Sequence, residues 1–254
     1  MTALTRSSWY YEHKSSEINI AIKERLISLS AERPRFGTPR MTVMIRKEFG
    51  TINHKRVERL YKEASLNLPR KRRKRKWHGV REIKPVALRP HQSWSMDFVH
   101  DRTENGRNLR VLNVVDDYTR ELIACIPEHS FSGYRVAREL DQIIEMRNIK
   151  PKSITMDNGP EFISRAFMSW AYDKKIRINY IEPGKPTQNA FVESFNGKFR
   201  DECLNLNWFK DLKEARRIIE AWKDDYNHHR PHSALNQMTP MEYKKQFILT
   251  HQTV

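Results

Sequence analysis

Three carboxylates stand in settings where a carboxylate needs a reason. Asp97 interrupts the apolar run Trp94-Ser95-Met96-Asp97-Phe98-Val99. Asp157 closes the run Ile154-Thr155-Met156 and is followed at once by Asn158-Gly159-Pro160. Glu193 lies in AFVESFNGKFRDE. A charge buried in a strand without a partner is costly, so Asp97 requires a cation or a hydrogen-bond network. Three carboxylates converging on one sheet edge would repel one another, and a divalent cation removes the repulsion. Oxygen donors suit Mg²⁺ or Mn²⁺ rather than zinc. Two such ions about 4 Å apart can clamp the attacking and leaving oxygens of a phosphodiester. The chain has 31 acidic residues, so spacing alone proves little. The two aspartates also have plainer readings: Asp97 as a structural Asp satisfied by backbone groups or one at the exposed end of a strand, Asp157 as the start of a turn or a helix cap.

Hydrophobic periodicity gives the elements that would hold these groups. QSWSMDFVHD predicts a strand, and LRVLNVVDDYT and RELIACIPE two more across a polar turn. SGYRVARELDQIIEMRN predicts an amphipathic helix, KSITMD a fourth strand, ISRAFMSWAYDKK a helix and IRINYIE a fifth strand. NAFVESFNGKFRDEC and the stretch around KDLKEARRIIEAWKDDYN predict two closing helices. The order β-β-β-α-β-α-β-α-α is that of an α/β domain with a mixed sheet. At 100° per residue, Phe191, Phe195 and Phe199 form a packing stripe with Val192 beside it. Glu193, Asn196, Gly197 and Arg200 take the opposite face, so Glu193 points away from the packing side.

The 254 residues suit one or two domains with a real core, and at 38% hydrophobic the chain is too apolar for wholesale disorder. No apolar run reaches membrane-spanning length, and MTALTRSSWYYEHKSSE has no apolar signal-peptide core. Neither a membrane span nor a signal peptide is expected. Cys125 and Cys203 form neither a disulfide framework nor a metal-pair spacing, which suits a reducing cytoplasm. The net charge of +16 is unevenly placed. Residues 1–92 hold 23 Lys and Arg against 8 Asp and Glu, whereas residues 93–254 hold 24 against 23. A polyanion, nucleic acid above all, is the natural partner of the first third.

Residues 1–68 read as a helical domain. INIAIKERLISLSAE carries a helical stripe. In TPRMTVMIRKEFG, Thr38 is a candidate cap, Pro39 suits the first turn and Gly50 the stop. NHKRVERLYKEASL follows, with Asn53 as a cap and His54, Lys55, Arg56, Arg59 and Lys62 mostly off the stripe of Val57, Leu60 and Tyr61. Two short helices around a Gly-containing turn, the second basic, resemble a helix-turn-helix; the alternative is a small bundle with a solvated basic face. Residues 69–92 read as a linker with seven consecutive basic residues, Arg70, Lys71, Arg72, Arg73, Lys74, Arg75 and Lys76. Such a run neutralises phosphates in a salt-sensitive, sequence-independent way; a solvated tail or a localisation signal is the plainer reading. Residues 93–246 form the α/β domain and 247–254 a tail.

At WSMDFV, VVDDYTR (114–120), MDNGPEF (156–162), GKPTQNAFVESFNGKFRDECL (184–204) and YNHHRPHSALNQMTPMEY (226–243), the chain resembles the OrfB transposases of insertion-sequence family three, relatives of the retroviral integrases. Thirty-five residues separate Asp157 from Glu193, that family's D-D-35-E spacing, and Arg200 stands where it carries a Lys or Arg. The resemblance implies an RNase H-like five-stranded mixed sheet flanked by helices behind a helix-turn-helix domain. It implies that Asp97, Asp157 and Glu193 are catalytic and bind two Mg²⁺ ions, with Mn²⁺ as a substitute. Water would attack a phosphodiester at the element's end, and the freed 3′-OH would attack another strand, through a copy-out–paste-in route with a circular intermediate. Lys185, Gln188, Asn189 and Arg200 would face DNA, and Asn158 and Gly159 would shape the metal-site turn. The implied partners are double-stranded DNA (terminal inverted repeats and target), OrfA or an OrfA–OrfB fusion, and further copies of the chain on DNA. The implied location is the bacterial cytoplasm, at the nucleoid.

His228, His229 and His232 tempt a zinc reading but lack a fourth ligand nearby, and the family carries a similar YN-x-x-RPH segment. They read as structural or DNA-facing. One departure stands out: where the family commonly reads YGYRR, this chain reads Phe36-Gly37-Thr38-Pro39-Arg40. A chain beginning at OrfB is also expected to lack OrfA's helix-turn-helix and leucine zipper. Two competing readings use the same residues: a non-catalytic DNA-binding regulator, and a general nuclease of the same fold.

Overall fold

The computed structural model describes residues 16–69, 87–182 and 189–251. They fall into two compact units that divide between residues 73 and 74. Arg70–Lys76, Lys185 and Gln188 lie outside the described residues.

In the first unit, α1 (Glu17–Glu32), α2 (Thr38–Phe49) and α3 (His54–Glu63) pack around Ile22, Leu26, Leu29, Met41, Ile45, Val57 and Leu60. The cap of α2 is Gly37, not Thr38, which is already the first helical residue. Pro39 falls in the first turn, where a missing N–H breaks no helical bond. Gly50 stops the helix with φ of 80°, a backbone state that favours glycine. Asn53 caps α3 by accepting from the Lys55 N–H at 2.9 Å. Arg56 is drawn back to α1 by Asn19 Oδ1 at 2.7 Å, which leaves His54, Lys55, Arg59 and Lys62 as the exposed basic face of α3. Phe36, at the departure from the family pattern, is buried and flanked by Arg33 and Arg40.

The second unit is a five-stranded sheet in the order β3-β2-β1-β4-β5. Its strands are β1 (Ser93–Arg102), β2 (Asn108–Asp116), β3 (Leu122–Glu128), β4 (Ser153–Met156) and β5 (Arg177–Tyr180). The pairs β1–β2 and β2–β3 are antiparallel; β1–β4 and β4–β5 are parallel. The remaining helices are α4 (Gly133–Arg147), α5 (Arg165–Asp173), α6 (Ala190–Glu202), α7 (Leu212–His228) and α8 (Pro240–His251). Alternate strand residues face opposite ways. Trp94, Met96, Leu112, Val114, Ile154 and Met156 pack with Val136, Leu140 and Ile143 of α4 and Phe167 of α5. Val99, Leu109, Val111 and Val115 pack with Val192, Phe195 and Phe199 of α6 and Ala215, Ile219 and Tyr226 of α7. The buried stripe of α6 is thus Val192-Phe195-Phe199. Phe191, expected within it, is partly buried, with the Arg120 guanidinium 3.5 Å from its ring.

Long-range clamps close this unit. Arg230 is 2% exposed and makes a two-pronged ion pair with Glu202 at 2.6 and 2.7 Å, fixing the end of α6. The Asn227 side chain pairs with both backbone groups of Leu122, acting as a peptide surrogate on the edge strand β3. Helix α8 runs on to His251, across the 246/247 boundary drawn from the sequence. It docks through Lys244 on Glu121 and through Tyr243 and Phe247 on Tyr118.

Candidate active site

The parallel register of β1 and β4 aligns the two aspartates. Ser95 lies opposite Thr155, and two residues further along each strand stand Asp97 and Asp157, on the same face by the two-residue period. Asp157 is the first residue past β4. The Gly159 N–H donates to Asp157 Oδ1 at 3.1 Å, and Asn158 Nδ2 donates to the Ile181 carbonyl at 3.1 Å, which pins the turn to the strand after it. A Cβ on Gly159 would stand 3.2 Å from Asp157 Oδ1, so the glycine leaves the carboxylate room. Glu193 occupies the first turn of α6 and is exposed.

Asp97 is partly buried. Its Oδ1 accepts from the Phe98 N–H at 2.8 Å and its Oδ2 from Asn196 Nδ2 at 2.8 Å. Burial pushes its carboxyl up to about 6; the hydrogen bond from Phe98 pulls against the rise, and the charges of Asp157 and Glu193 add to it. Asp97 therefore lies within the electrostatic reach of both other carboxylates. Other acidic groups in and around the sheet are differently provided for. Asp116 accepts from the His91 N–H and from both the N–H and the hydroxyl of Thr119. Asp117 accepts from Ser93 and Ser95. Glu161 pairs with Arg110, which outweighs the effect of burial and holds its carboxyl below the ordinary range.

The donor set suits a hard divalent cation: carboxylate oxygens, and at Asp97 a mutual repulsion that a cation would relieve. Asn189 Oδ1, buried next to β1, also has no hydrogen-bond partner among the described residues. Among those residues no three His, Cys, Asp or Glu side chains already stand together as a ligand set. The histidines of the 226–243 segment are not gathered. His232 is buried edge-on against Tyr226 at 4.7 Å, and His228 is exposed beside Asp224.

Asn189, expected to face DNA, is 2% exposed and donates from Nδ2 to the Met96 carbonyl at 3.3 Å. It joins the start of α6 to β1, because the helix must dock there to bury Val192 and Phe195. Arg200 is exposed, and its Nη2 donates to the His100 carbonyl at 2.9 Å. Sequence reasoning passed over Asn113, which interrupts the apolar run of β2 just as Asp97 interrupts β1; that interruption was the available signal.

Residues 87–186 and 174–240 each match a family model described as integrase core domain, and residues 19–75 match an HTH-like domain. The uncharacterized 31.7 kDa protein of insertion element IS407 from Burkholderia multivorans is 46% identical over 246 residues, covering 96% of this chain and 87% of that one. The uncharacterized 39.2 kDa protein of insertion element IS476 from Xanthomonas euvesicatoria is 42% identical over 243 residues, covering 96% and 70%. A chain in the simian T-cell lymphotropic virus intasome, solved with PP2A regulatory subunit B56 gamma, superposes with a TM-score of 0.54 at 18% identity, over 86% of this chain and 74% of that one. The sheet and its flanking helices have the RNase H-like α/β fold, in keeping with that likeness. Among the described residues no helix is long and apolar enough to cross a membrane.

Proposed function

Because the chain belongs to the OrfB transposases of insertion-sequence family three, with an integrase core behind an HTH-like domain, we propose that it cuts and rejoins DNA at Asp97, Asp157 and Glu193. These three carboxylates would hold Mg²⁺, as two ions, or Mn²⁺ in its place. Bound there, the metal supplies Lewis-acid activation of the attacking oxygen and neutralises charge at phosphorus. Asp97 is held ready by the Phe98 N–H and Asn196, and Asp157 by its turn, so neither needs to reorganise when substrate arrives. In the first step a water oxygen bonds to phosphorus at the element's end, the P–O3′ bond breaks and the 3′ oxygen leaves as a hydroxyl. In the second, that 3′-OH attacks a phosphodiester of another strand and one P–O bond replaces another. No side chain becomes covalently attached to DNA.

The observation that carries this reading is geometric: the parallel register of β1 and β4 sets Asp97 and Asp157 level at one sheet edge, and α6, which bears Glu193, is tied to Asp97 through Asn196. The DNA contacts belong to the same proposal: the 1–68 domain, the Arg70–Lys76 run in the 69–92 linker, and, within the 93–246 core, Lys185, Gln188 and Arg200. So do pairing of two element ends by several copies of the chain and association with OrfA. The test is a labelled duplex carrying the element's ends, incubated with the protein in Mg²⁺, Mn²⁺ or Ca²⁺. End cleavage and joined products in Mg²⁺ or Mn²⁺, lost in Asp157→Asn, are expected. Binding without cleavage under any metal would favour the regulator reading, and degradation without joined products the nuclease reading.

A further inference from the structure

A row of polar side chains crosses the sheet beneath Asp97. Asp97, Asn113 and Cys125 are direct cross-strand neighbours on β1, β2 and β3. Cys125 Sγ donates to Asn113 Oδ1 at 3.0 Å, Asn113 Nδ2 donates to Asn196 Oδ1 at 2.8 Å, and Asn196 Nδ2 donates to Asp97 Oδ2 at 2.8 Å. Asn113 is 0% exposed. Val111, Val115, Val192 and Phe195 make the surrounding cluster apolar. An apolar side chain at position 113 would suit that cluster and need no hydrogen bond of its own; a buried amide there is costly unless every bond is made.

The row has a direction. A side-chain amide offers an acceptor on one end and donors on the other, and the two are close in shape. Here the carboxylate end fixes the sense, since an ionised Asp97 can only accept, and the thiol, able to give or take a hydrogen, meets Asn113 Oδ1 as a donor. With Asn196 reversed, its Oδ1 would face Asp97 Oδ2, oxygen against oxygen.

We infer that Asn113, steadied by Cys125, is a positioning residue: it turns the Asn196 NH₂ toward Asp97 and so holds that carboxylate in the orientation needed for cation binding and strand joining. This rests on the reading of Asp97 as a metal-binding carboxylate.

The test uses the full chain and two readouts, the joining rate and the thermal shift produced by Mn²⁺ alone. Asn113→Leu should slow joining and raise the Mn²⁺ concentration at the midpoint of the shift, each by about ten-fold or more. Cys125→Ala should move both readouts the same way by less. Cys125→Ser, which keeps a donor, should recover most of that loss. This pair keeps the test open if Asn113→Leu does not fold. If Asn113→Leu folds and changes only the melting temperature, with joining rate and Mn²⁺ midpoint intact, Asn113 is merely structural and the inference is overturned. Equal behaviour of Cys125→Ala and Cys125→Ser would remove the part given to Cys125. Asp97→Asn separates the two levels. If it keeps both joining and the Mn²⁺ response, the reading of the site fails and takes the relay with it. If it loses both while Asn113→Leu keeps both, only the relay fails.

Discussion

At Asp97 folding and function pull in opposite directions. Burial in the folded chain pushes this carboxyl up to about 6 from an ordinary 3.8, so it holds a proton more tightly than the unfolded chain does. The stability tied to that proton is full below about pH 4 and is lost as pH rises through about 6. Asp97→Asn removes the cost of ionisation. In chelator, it should match the parent near pH 4 and exceed it near pH 7 to 8 by up to about 2–3 kcal/mol. Urea unfolding across that range checks this, and a difference that does not vary with pH would contradict it. Asp97 and Asp157 stand out in the sequence because a charge within or at the end of an apolar run is costly, and Glu193 because it falls opposite the packing stripe of its helix. Asn113 carries the same signal more faintly, since an amide in a strand has many cheap partners. The burial of Asn189 was not legible, because it depends on where α6 lands on β1, and no local pattern states that.

Helix α6 is the element on which the site depends, and it is held at both ends: by Asn189 on β1 and by Glu202 on Arg230. Removing one partner of a buried ion pair strands the other charge. Glu202→Ala should therefore cost about 3–5 kcal/mol in urea unfolding; a change within a few tenths would show the clamp to be idle. Gly197 lies one turn after Glu193 on the exposed side of α6, and a Cβ there would meet nothing within 4 Å. Packing does not require this glycine, and Ala would stabilise the helix by about 0.5–1 kcal/mol. If this face lies against a DNA strand, Gly197→Ala raises the melting temperature and lowers joining. A more stable protein with unchanged joining would remove α6 from the DNA surface. The order of strands and helices was legible because each has its own period. The clamps were not: Asn227 on Leu122 and Lys244 on Glu121 join residues more than a hundred apart. α8 likewise docks mainly through rings and one ion pair rather than through a clear apolar stripe.

For the whole molecule, the decisive property is charge placement. Nearly all of the +16 lies before residue 93, while the domain bearing the carboxylates is close to neutral. In the proposed function, affinity for DNA and chemistry on DNA fall to different parts of the chain. Deleting residues 70–76 should weaken binding to unrelated duplexes broadly and flatten the plot of log affinity against log salt, by about 0.9 for each phosphate no longer neutralised. Unchanged slopes in a binding titration would place the basic run off the DNA.

The claim on which everything else rests is that three carboxylates from β1, the end of β4 and α6 share divalent cations. The most direct measurement is anomalous scattering from crystals grown with Mn²⁺ and a duplex carrying an element end. Density bound by Asp97, Asp157 and Glu193, lost in crystals of Asp157→Asn, is the expected outcome. Manganese elsewhere on the chain, or at Asp97 without either of the other two, would contradict it.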